Sequence, residues 1–218
     1  MPKEKAESES RAAKAPSEND DELFELVSPT RAIDLIIQKN LEQMPDSYVV
    51  LFLEKIEQYS VINVRLASYL AKNRIPGVYV TTNKPVKSLI EVFKNEKIDA
   101  KNFLFADGIT RMNGAEPVEG ENCIYVDSPK NLIDLSIAIE TQMQKIKGTN
   151  RFVLFDSLST LLVYNKPTVV AKFMHAIASK IRAWRAKGVF LMIQEKDEEV
   201  TKIIAQFCDE TKEFKPQM

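Results

Sequence analysis

Six short apolar runs, each followed by a longer amphipathic stretch, constrain the fold of this 218-residue chain more than any other feature. The runs are rich in β-branched and aromatic residues and lie at Tyr48–Leu53, Val78–Thr82, Phe103–Ala106, Cys123–Val126, Phe152–Phe155 and Val189–Ile193. They are too short for helices, and their hydrophobicity is mostly continuous rather than alternating. Such runs are typical of strands that are buried on both faces of a parallel sheet.

Amphipathic segments between the runs predict helices at about 59–73, 85–97, 129–147, 167–187 and 197–212, after a first helix between Ser28 and Met44. Gly77, Gly148 and Gly188 each follow a predicted helix, where a left-handed residue commonly ends the helix. The alternation predicts an α/β fold, doubly wound, with a mostly parallel sheet of about six or more strands and helices on both faces.

Composition divides the chain into a tail and one domain. Residues 1–23 carry seven acidic and four basic side chains and no aromatic residue, so we expect a disordered polar tail. The remainder, 24–218, is long enough to bury one core as a single domain. The sequence contains no apolar stretch long enough to span a membrane and no signal-peptide core, which predicts a cytoplasmic protein without a membrane partner.

Several classes of function are disfavoured by simple counts. With 30 basic and 31 acidic residues the formal charge is −1, which argues against a nucleic-acid partner. Two cysteines and one histidine are too few for a Cys-rich zinc site or a multi-histidine metal site. His175 lies off the apolar stripe of its helix, so we interpret it as an ordinary surface residue.

Glycine is unusually scarce. The chain has six glycines in 218 residues, whereas about 7% is typical of proteins. No two of them are close enough to form a loop whose backbone N–H groups could approach a phosphate. A glycine-rich nucleotide loop is therefore absent from the sequence.

Ligands of open parallel sheets bind beyond the carboxyl ends of the strands, so the residues after each run are the candidate site. These are Glu54 and Lys55, Asn83 and Lys84, Asp107, Asp127 and Ser128, Asp156 and Ser157, and Gln194 and Glu195. Because Asp and Ser are common helix N-caps, capping is the expected role of Asp127 and Asp156. The alternative at Asp156 is a magnesium ion, which prefers carboxylate oxygens.

The order of these motifs resembles the RecA/KaiC-like branch of the P-loop ATPases, in particular its divergent single-domain archaeal members. The resemblance covers about Thr30 to Phe214 and is carried by four segments. These are YVVLFL (48–53), GVYVTTNKPVKSLIEVF (77–93), FVLFDSLSTLLVYN (152–165) and AWRAKGVFLMIQEKDEEV (183–200). The third resembles the magnesium-binding strand of that superfamily, with Asp156-Ser157 at its tip.

The phosphate-binding motif of that family, G-x-x-x-x-G-K-[ST], aligns with Leu53–Ser60 (LEKIEQYS) and matches only at Ser60. Tyr59 stands at the position of the phosphate lysine, and Glu54 and Glu57 add negative charge where a triphosphate would lie. Asn83-Lys84 stands at the usual acidic position after the second strand. The resemblance therefore implies a degenerate phosphate-binding loop and loss of ATPase activity.

Two functions remain open from the sequence. The first is a non-catalytic pseudo-ATPase domain, with no cofactor, that acts as a regulatory or signalling protein-interaction module and pairs with its own copies or with an active ATPase relative. The alternative is an ATP-binding domain with an unconventional loop, in which Lys55, Ser60 and Lys84 contact nucleotide and Asp156 holds magnesium. Recombinase-like DNA binding has only the resemblance in fold in its favour.

Overall fold

A single sheet of seven parallel strands organises the computed structural model, which describes residues 28–117, 120, 122–194 and 198–214. Its strands are β1 (Tyr48–Glu54), β2 (Gly77–Thr81), β3 (Phe103–Asp107), β4 (Cys123–Tyr125), β5 (Phe152–Asp156), β6 (Lys187–Ile193) and β7 (Glu210–Glu213). The helices are α1 (Pro29–Glu42), α2 (Tyr59–Lys72), α3 (Val86–Asn95), α4 (Leu132–Lys145), α5 (Leu158–Tyr164), α6 (Pro167–Ala183) and α7 (Glu198–Ala205). The order of strands across the sheet is β4-β3-β2-β5-β6-β1-β7, and every pairing is parallel.

Helices cover both faces of the sheet. The apolar stripes of α1, α2 and α3 pack on one face, and those of α4, α5, α6 and α7 pack on the other. As a result, every residue of β1, β2 and β5 is buried. This confirms the predicted α/β fold with a mostly parallel sheet between two layers of helices, and it explains the continuous apolar runs.

All six predicted strands are present, but two elements differ from the sequence prediction. The helix expected over 197–212 ends at Ala205, and its last residues form β7 beside β1. The sequence of β7, ETKE, has no apolar residue, because this strand lies at the edge of the sheet and most of it is exposed. The short helix α5 directly after β5 was not predicted either.

Two of the three glycines interpreted as helix ends have another role. Gly77 and Gly188 lie within β2 and β6, and only Gly148 has a positive φ, 88°. Arg74, Lys97 and Arg185, with φ between 51° and 56°, are the left-handed residues that follow α2, α3 and α6. Gly77 is needed for close packing instead, since a Cβ there would lie 2.4 Å from the carbonyl oxygen of Phe152.

None of the helices that the structure describes is both long enough and apolar enough to cross a membrane. The polar tail predicted for residues 1–23 lies outside the described residues.

Replacing Gly77 with alanine should destabilise the protein by about 1–3 kcal/mol, because the added methyl group collides with the backbone of the neighbouring strand β5. Denaturant unfolding followed by circular dichroism measures this. Gly108→Ala is the matched control, because the nearest atom to a Cβ there is 3.6 Å away. Equal stability of the two variants would contradict the proposed packing role of Gly77.

Candidate functional site

A buried polar cluster lies at the carboxyl ends of β1 and β5. It consists of Glu54 at the end of β1, Asn63 on α2, Tyr79 on β2 and Asp156 at the end of β5. Each side chain is 5% exposed or less. The Tyr79 hydroxyl lies 2.9 Å from Asn63 Oδ1 and 3.0 Å from Asp156 Oδ2. The hydrogen bonds of one tyrosine therefore link a helix and two strands.

The hydroxyl of Tyr79 has one proton but two neighbouring carbonyl or carboxylate oxygens, so it can donate to only one of them at a time. A protonated Asp156 would donate to the hydroxyl and leave the tyrosine proton for Asn63. Burial favours this arrangement, because it raises the pKa of Asp156 from 3.8 to about 8. Burial, together with the charge of Glu54, also raises the pKa of Tyr79.

Glu54 is the second buried carboxyl group of the cluster. Burial, with a smaller contribution from the charge of Asp156, raises the pKa of Glu54 from 4.5 to about 9. Neither oxygen of Glu54 has a hydrogen-bond partner in the structure, and Oδ1 of Asp156 also has none. Burial therefore favours the protonated, neutral form of both carboxyl groups.

The backbone around Asp156 is held by Thr82. The Thr82 amide donates to the Asp156 carbonyl oxygen at 2.8 Å, and the Ser157 amide donates to Thr82 Oγ1 at 3.1 Å. The peptide bond between Asp156 and Ser157 is cis. These contacts fix the end of β5 against the end of β2.

The connection between β1 and α2 is a closed turn. The amides of Gln58 and Tyr59 both donate to the carbonyl oxygen of Lys55, at 2.9 and 3.1 Å. Helix α2 then begins at Tyr59, five residues after the end of β1. A phosphate loop needs its amide groups free and turned toward the ligand. Here two of these amide groups are used inside the turn.

Tyr59 and Asn83 are bonded to each other above this edge. Asn83 Nδ2 donates to the hydroxyl of Tyr59 at 3.1 Å, and Tyr59 is buried. In the resemblance drawn from the sequence, these positions correspond to the phosphate lysine and to the acidic residue after the second strand. The structure therefore brings the two substituted positions together in one neutral contact.

The residues predicted to bind nucleotide in the alternative function lie at the same edge of the sheet but at different depths. Lys55 is exposed in the turn after β1, and Ser60 is exposed in the first turn of α2. Lys84 follows β2 and is half-buried, and its carbonyl oxygen accepts a hydrogen bond from the Thr81 hydroxyl. Asp156 alone among them is buried, so the four do not form one exposed surface.

The capping interpretation of Asp127 and Asp156 is wrong. Asp127 is exposed and accepts a hydrogen bond from Arg111 at 2.8 Å, while the N-cap of α4 is Asn131. The N-cap of α5 is Ser157, whose side chain makes no capping hydrogen bond, and Asp156 faces Tyr79 instead. These roles depend on contacts between distant segments, which local sequence patterns do not contain.

Asp107 shows how this fold satisfies a buried structural carboxylate. It lies at the end of β3 and is fully buried, like the acids of the cluster. Its oxygens accept hydrogen bonds from the amides of Val86, Ile109 and Thr110 and from the hydroxyl of Thr110. Glu54 and Asp156 lie at the same edge of the sheet, but they have far fewer donors than Asp107.

Sequence reasoning placed Glu54 among the candidate residues at the strand ends but gave it only the effect of adding negative charge, and it missed Asn63 and Tyr79 entirely. Tyr79 lies within an apolar run and Asn63 within a helix, so neither stands out. Among the described residues, no group of three or more His, Cys, Asp or Glu side chains forms a metal site. His175 is exposed and its ring lies 5.2 Å from that of Phe207, in keeping with an ordinary surface position.

A protein-family model matches most of the amino-acid sequence of this chain. The model of DUF7504, a family of unknown function, matches residues 62–214. The chain belongs to this family. No curated protein matches the sequence.

Two solved structures with a similar fold are of proteins from the archaeon Pyrococcus horikoshii. A KaiC-like protein of strain OT3 aligns with a TM-score of 0.57 and 11% identity over 80% of this chain and 74% of the other. A second protein, solved in complex with an unknown peptide, aligns with a TM-score of 0.56 and 13% identity over 82% of both chains. At such low identity the likeness shows a shared KaiC-like fold.

The raised pKa of Glu54 predicts that stability falls as pH rises. The folded state retains its proton from about the unfolded pKa of 4.5 up to about 9, and each retained proton changes the free energy of unfolding by about 1.4 kcal/mol per pH unit. In metal-free buffer, Glu54→Gln should therefore gain stability over the natural chain as pH is raised through this window. Urea unfolding at several pH values measures the difference.

Glu57→Gln is the control for this pH series, because it removes the same charge at an exposed position of the adjacent turn. The difference in free energy of unfolding between Glu57→Gln and the natural chain should change little with pH. If the corresponding difference for Glu54→Gln also changed little with pH, Glu54 would be ionised in the folded protein.

Proposed function

We propose that this chain is a non-catalytic RecA/KaiC-like domain, a pseudo-ATPase, that acts as a regulatory or signalling protein-interaction module. The observation that carries the proposal is the closed turn between β1 and α2, in which the Gln58 and Tyr59 amides bond to Lys55. A triphosphate at this edge would need free amide groups and a cation close to the phosphates. Both amide groups are already hydrogen-bonded within the turn, and Tyr59 occupies the position of the lysine.

Electrostatics supports the same proposal. Glu54 and Asp156 are buried at the same edge of the sheet as the turn, and the exposed Glu57 lies within the turn. The charge of Glu57 repels the phosphates of a nucleotide, and the buried carboxyl groups supply no positive charge to offset it, so this edge disfavours an anionic ligand.

A groove of about 490 Å³ supports protein binding as the remaining role. It lies beside α3, β3 and β4, and its lining includes Val86, Ile90, Phe93, Ile98, Phe103 and Phe105. The strand β4 is at one edge of the sheet and has the apolar sequence CIY, whereas β7 at the other edge has the charged sequence ETKE. Charged edge strands resist pairing with other chains, so β4 is the edge better suited to a partner.

The structural neighbour bound to an unknown peptide gives this role a precedent in the same fold. For the present chain we infer a protein partner, either a second copy or an active ATPase relative of the same fold. A domain that has lost nucleotide binding can still supply an interaction surface, because the surface depends on the fold and not on the phosphate site.

Calorimetric titration with Mg-ATP and with ADP should give no saturable heat. The variant Tyr59→Lys restores the missing cation but leaves the turn closed, so it should also fail to bind. Micromolar binding by the natural chain that is lost in Asp156→Ala would instead support the alternative function, an ATP-binding domain that uses Lys55, Ser60 and Lys84. Binding by Tyr59→Lys alone would show that the lysine, and not the turn, is limiting.

Light scattering of the chain, alone and mixed with an active ATPase relative, tests the interaction role. Ile90→Asp, in the groove, should weaken the observed assembly roughly tenfold or more, as expected when a charge replaces an apolar contact at an interface. Ile133→Asp on α4, at a side chain that is 75% exposed on the opposite face, is the control. A strict monomer that forms no complex with the relative would overturn the proposal.

A further inference from the structure

Positive charge is concentrated at the amino edge of the sheet, which is the edge where the parallel strands begin. Residues 72–76, 145–151 and 182–187 lead there from helices α2, α4 and α6 into the neighbouring strands β2, β5 and β6. These three segments have eight basic side chains and no acidic one. We call them the basic segments.

Hydrogen bonds hold the basic segments against one another. The amide of Phe152, the first residue of β5, donates to the carbonyl oxygen of Pro76 at 3.0 Å. The amide of Lys187 donates to the carbonyl oxygen of Arg151 at 2.8 Å. The guanidinium group of Arg151 also donates to the carbonyl oxygen of Trp184 at 3.3 Å. The three segments therefore form one continuous surface.

Three cations of this surface are accessible to a ligand. Arg74, Lys147 and Arg185 are exposed, one on each basic segment. None of the ion pairs between described residues involves any of the three. Arg182, by contrast, pairs with Asp209 at 2.8 Å. The three exposed cations are therefore the positive charges that a ligand would meet.

Two of these cations stand at positions that favour glycine. Arg74 and Arg185 have φ angles of 53° and 51°, in the left-handed region. A residue with a Cβ costs free energy in this conformation, which is why glycine commonly follows the end of a helix. The helix macrodipole favours a cation near the helix end, but it also acts on a cation in the last turn. Removal of these two side chains therefore separates a role in binding from a role in the fold.

The amino-acid sequence contains a segment of opposite charge. Residues 15–27, directly before the described part of the chain, have five acidic side chains and no basic one. Residues 1–27 together have eight acidic and four basic side chains, whereas the whole chain has a formal charge of −1. The remainder of the chain is therefore positive, and its charge is complementary to that of the acidic residues before it.

The course of α1 favours binding between two copies over binding within one. Residues 43–47 alone separate the end of α1 from the start of β1, so α1 ends near the amino edge. The helix packs along the face of the sheet, and its 14 residues extend about 21 Å, so it begins toward the opposite edge. Glu25 is four residues before Pro29, and four extended residues span only about 14 Å. Glu25 therefore does not reach the basic segments of its own copy, whereas those of a second copy are not subject to this limit.

We propose that the basic segments bind the acidic segment 18–25 (ENDDELFE) of a second copy of this chain, with Arg74, Lys147 and Arg185 contacting its carboxylates. This names the partner of the proposed interaction module and so rests on that proposal. Arginine pairs with a carboxylate through two parallel hydrogen bonds. The strands β2 and β6 are two spacings apart, about 10 Å, which three residues of an extended acidic segment also span.

Fluorescence anisotropy of a labelled peptide with the sequence of residues 15–27 measures the contact directly. Its binding partner is the full chain with Asp20→Asn, Asp21→Asn and Glu22→Gln, here called the neutralised chain, so that its own acidic segment competes less. The peptide should bind saturably, and raising NaCl from about 50 to about 500 mM should weaken binding roughly tenfold. A peptide that carries the same three substitutions should not bind.

Arg74→Gly combined with Arg185→Gly in the neutralised chain should weaken peptide binding about tenfold or more. The Tm should not fall, since glycine is favoured at both positions. Lys97→Gly is the matched control, because Lys97 is exposed and follows α3 with a φ of 56° but lies outside the basic segments, near Glu96 and Asp99. It should keep peptide binding. An equal loss in Lys97→Gly would overturn the proposal, because the peptide would then respond to net charge and not to this surface.

Light scattering of the full chain tests whether the partner is a second copy. The natural chain should self-associate, and the neutralised chain should do so about tenfold more weakly. A natural chain that stays monomeric while the peptide binds would place the segment on its own copy and overturn the proposal. Tighter binding of single-stranded DNA than of the peptide at the same salt would also overturn it, because the surface would then be a nucleic-acid site.

Failure of this proposal is distinguishable from failure of the proposed function. A peptide that does not bind overturns the role of the basic segments, whereas a complex with an active ATPase relative would still support the interaction role. Conversely, saturable Mg-ATP binding by the natural chain overturns the pseudo-ATPase proposal and leaves the peptide result unaffected. The two measurements are separate because the turn after β1 and the basic segments lie at opposite edges of the sheet.

Discussion

Burial of the central strands on both faces is the constraint on which the rest of this structure depends. Two helical layers exclude water from β1, β2 and β5, so any side chain at their carboxyl ends lies in a region of low dielectric. In such surroundings a carboxyl group either finds donors, holds a proton or binds a cation. The contrast between Asp107, with its four donors, and Glu54, with none, shows two of these outcomes at one edge of the sheet.

The same constraint explains why the sequence predicts most of the fold. A strand covered on both sides needs apolar side chains at nearly every position, and this leaves a continuous run that is visible without any structure. The prediction fails where burial is incomplete: β7 lies at an edge and its polar sequence is indistinguishable from the end of a helix. The prediction misses the short helix α5 for a different reason, since its seven residues are too few to show a clear helical period of apolar residues.

The site was less predictable than the fold, because its members are brought together by strand order and not by sequence spacing. Parallel strands place all carboxyl ends at one edge, which is why Glu54 and Asp156 are among the candidates that the sequence offers. The sequence does not state that β1 and β5 are separated by a single strand, nor that Tyr79 projects between Asn63 and Asp156. The capping interpretation of Asp156 was reasonable locally and wrong because a contact from β2 decides the role of that side chain.

The closed turn and the buried carboxyl groups are separate features of this protein. The bond between Tyr59 and Asn83 and the closed turn concern the surface of the edge, where a nucleotide would have to dock. Glu54 and Asp156 lie one layer deeper and carry a cost in stability that apolar or amide side chains of similar size would avoid. The pair therefore lowers the stability of the folded domain as pH rises, independently of whether the turn admits a ligand.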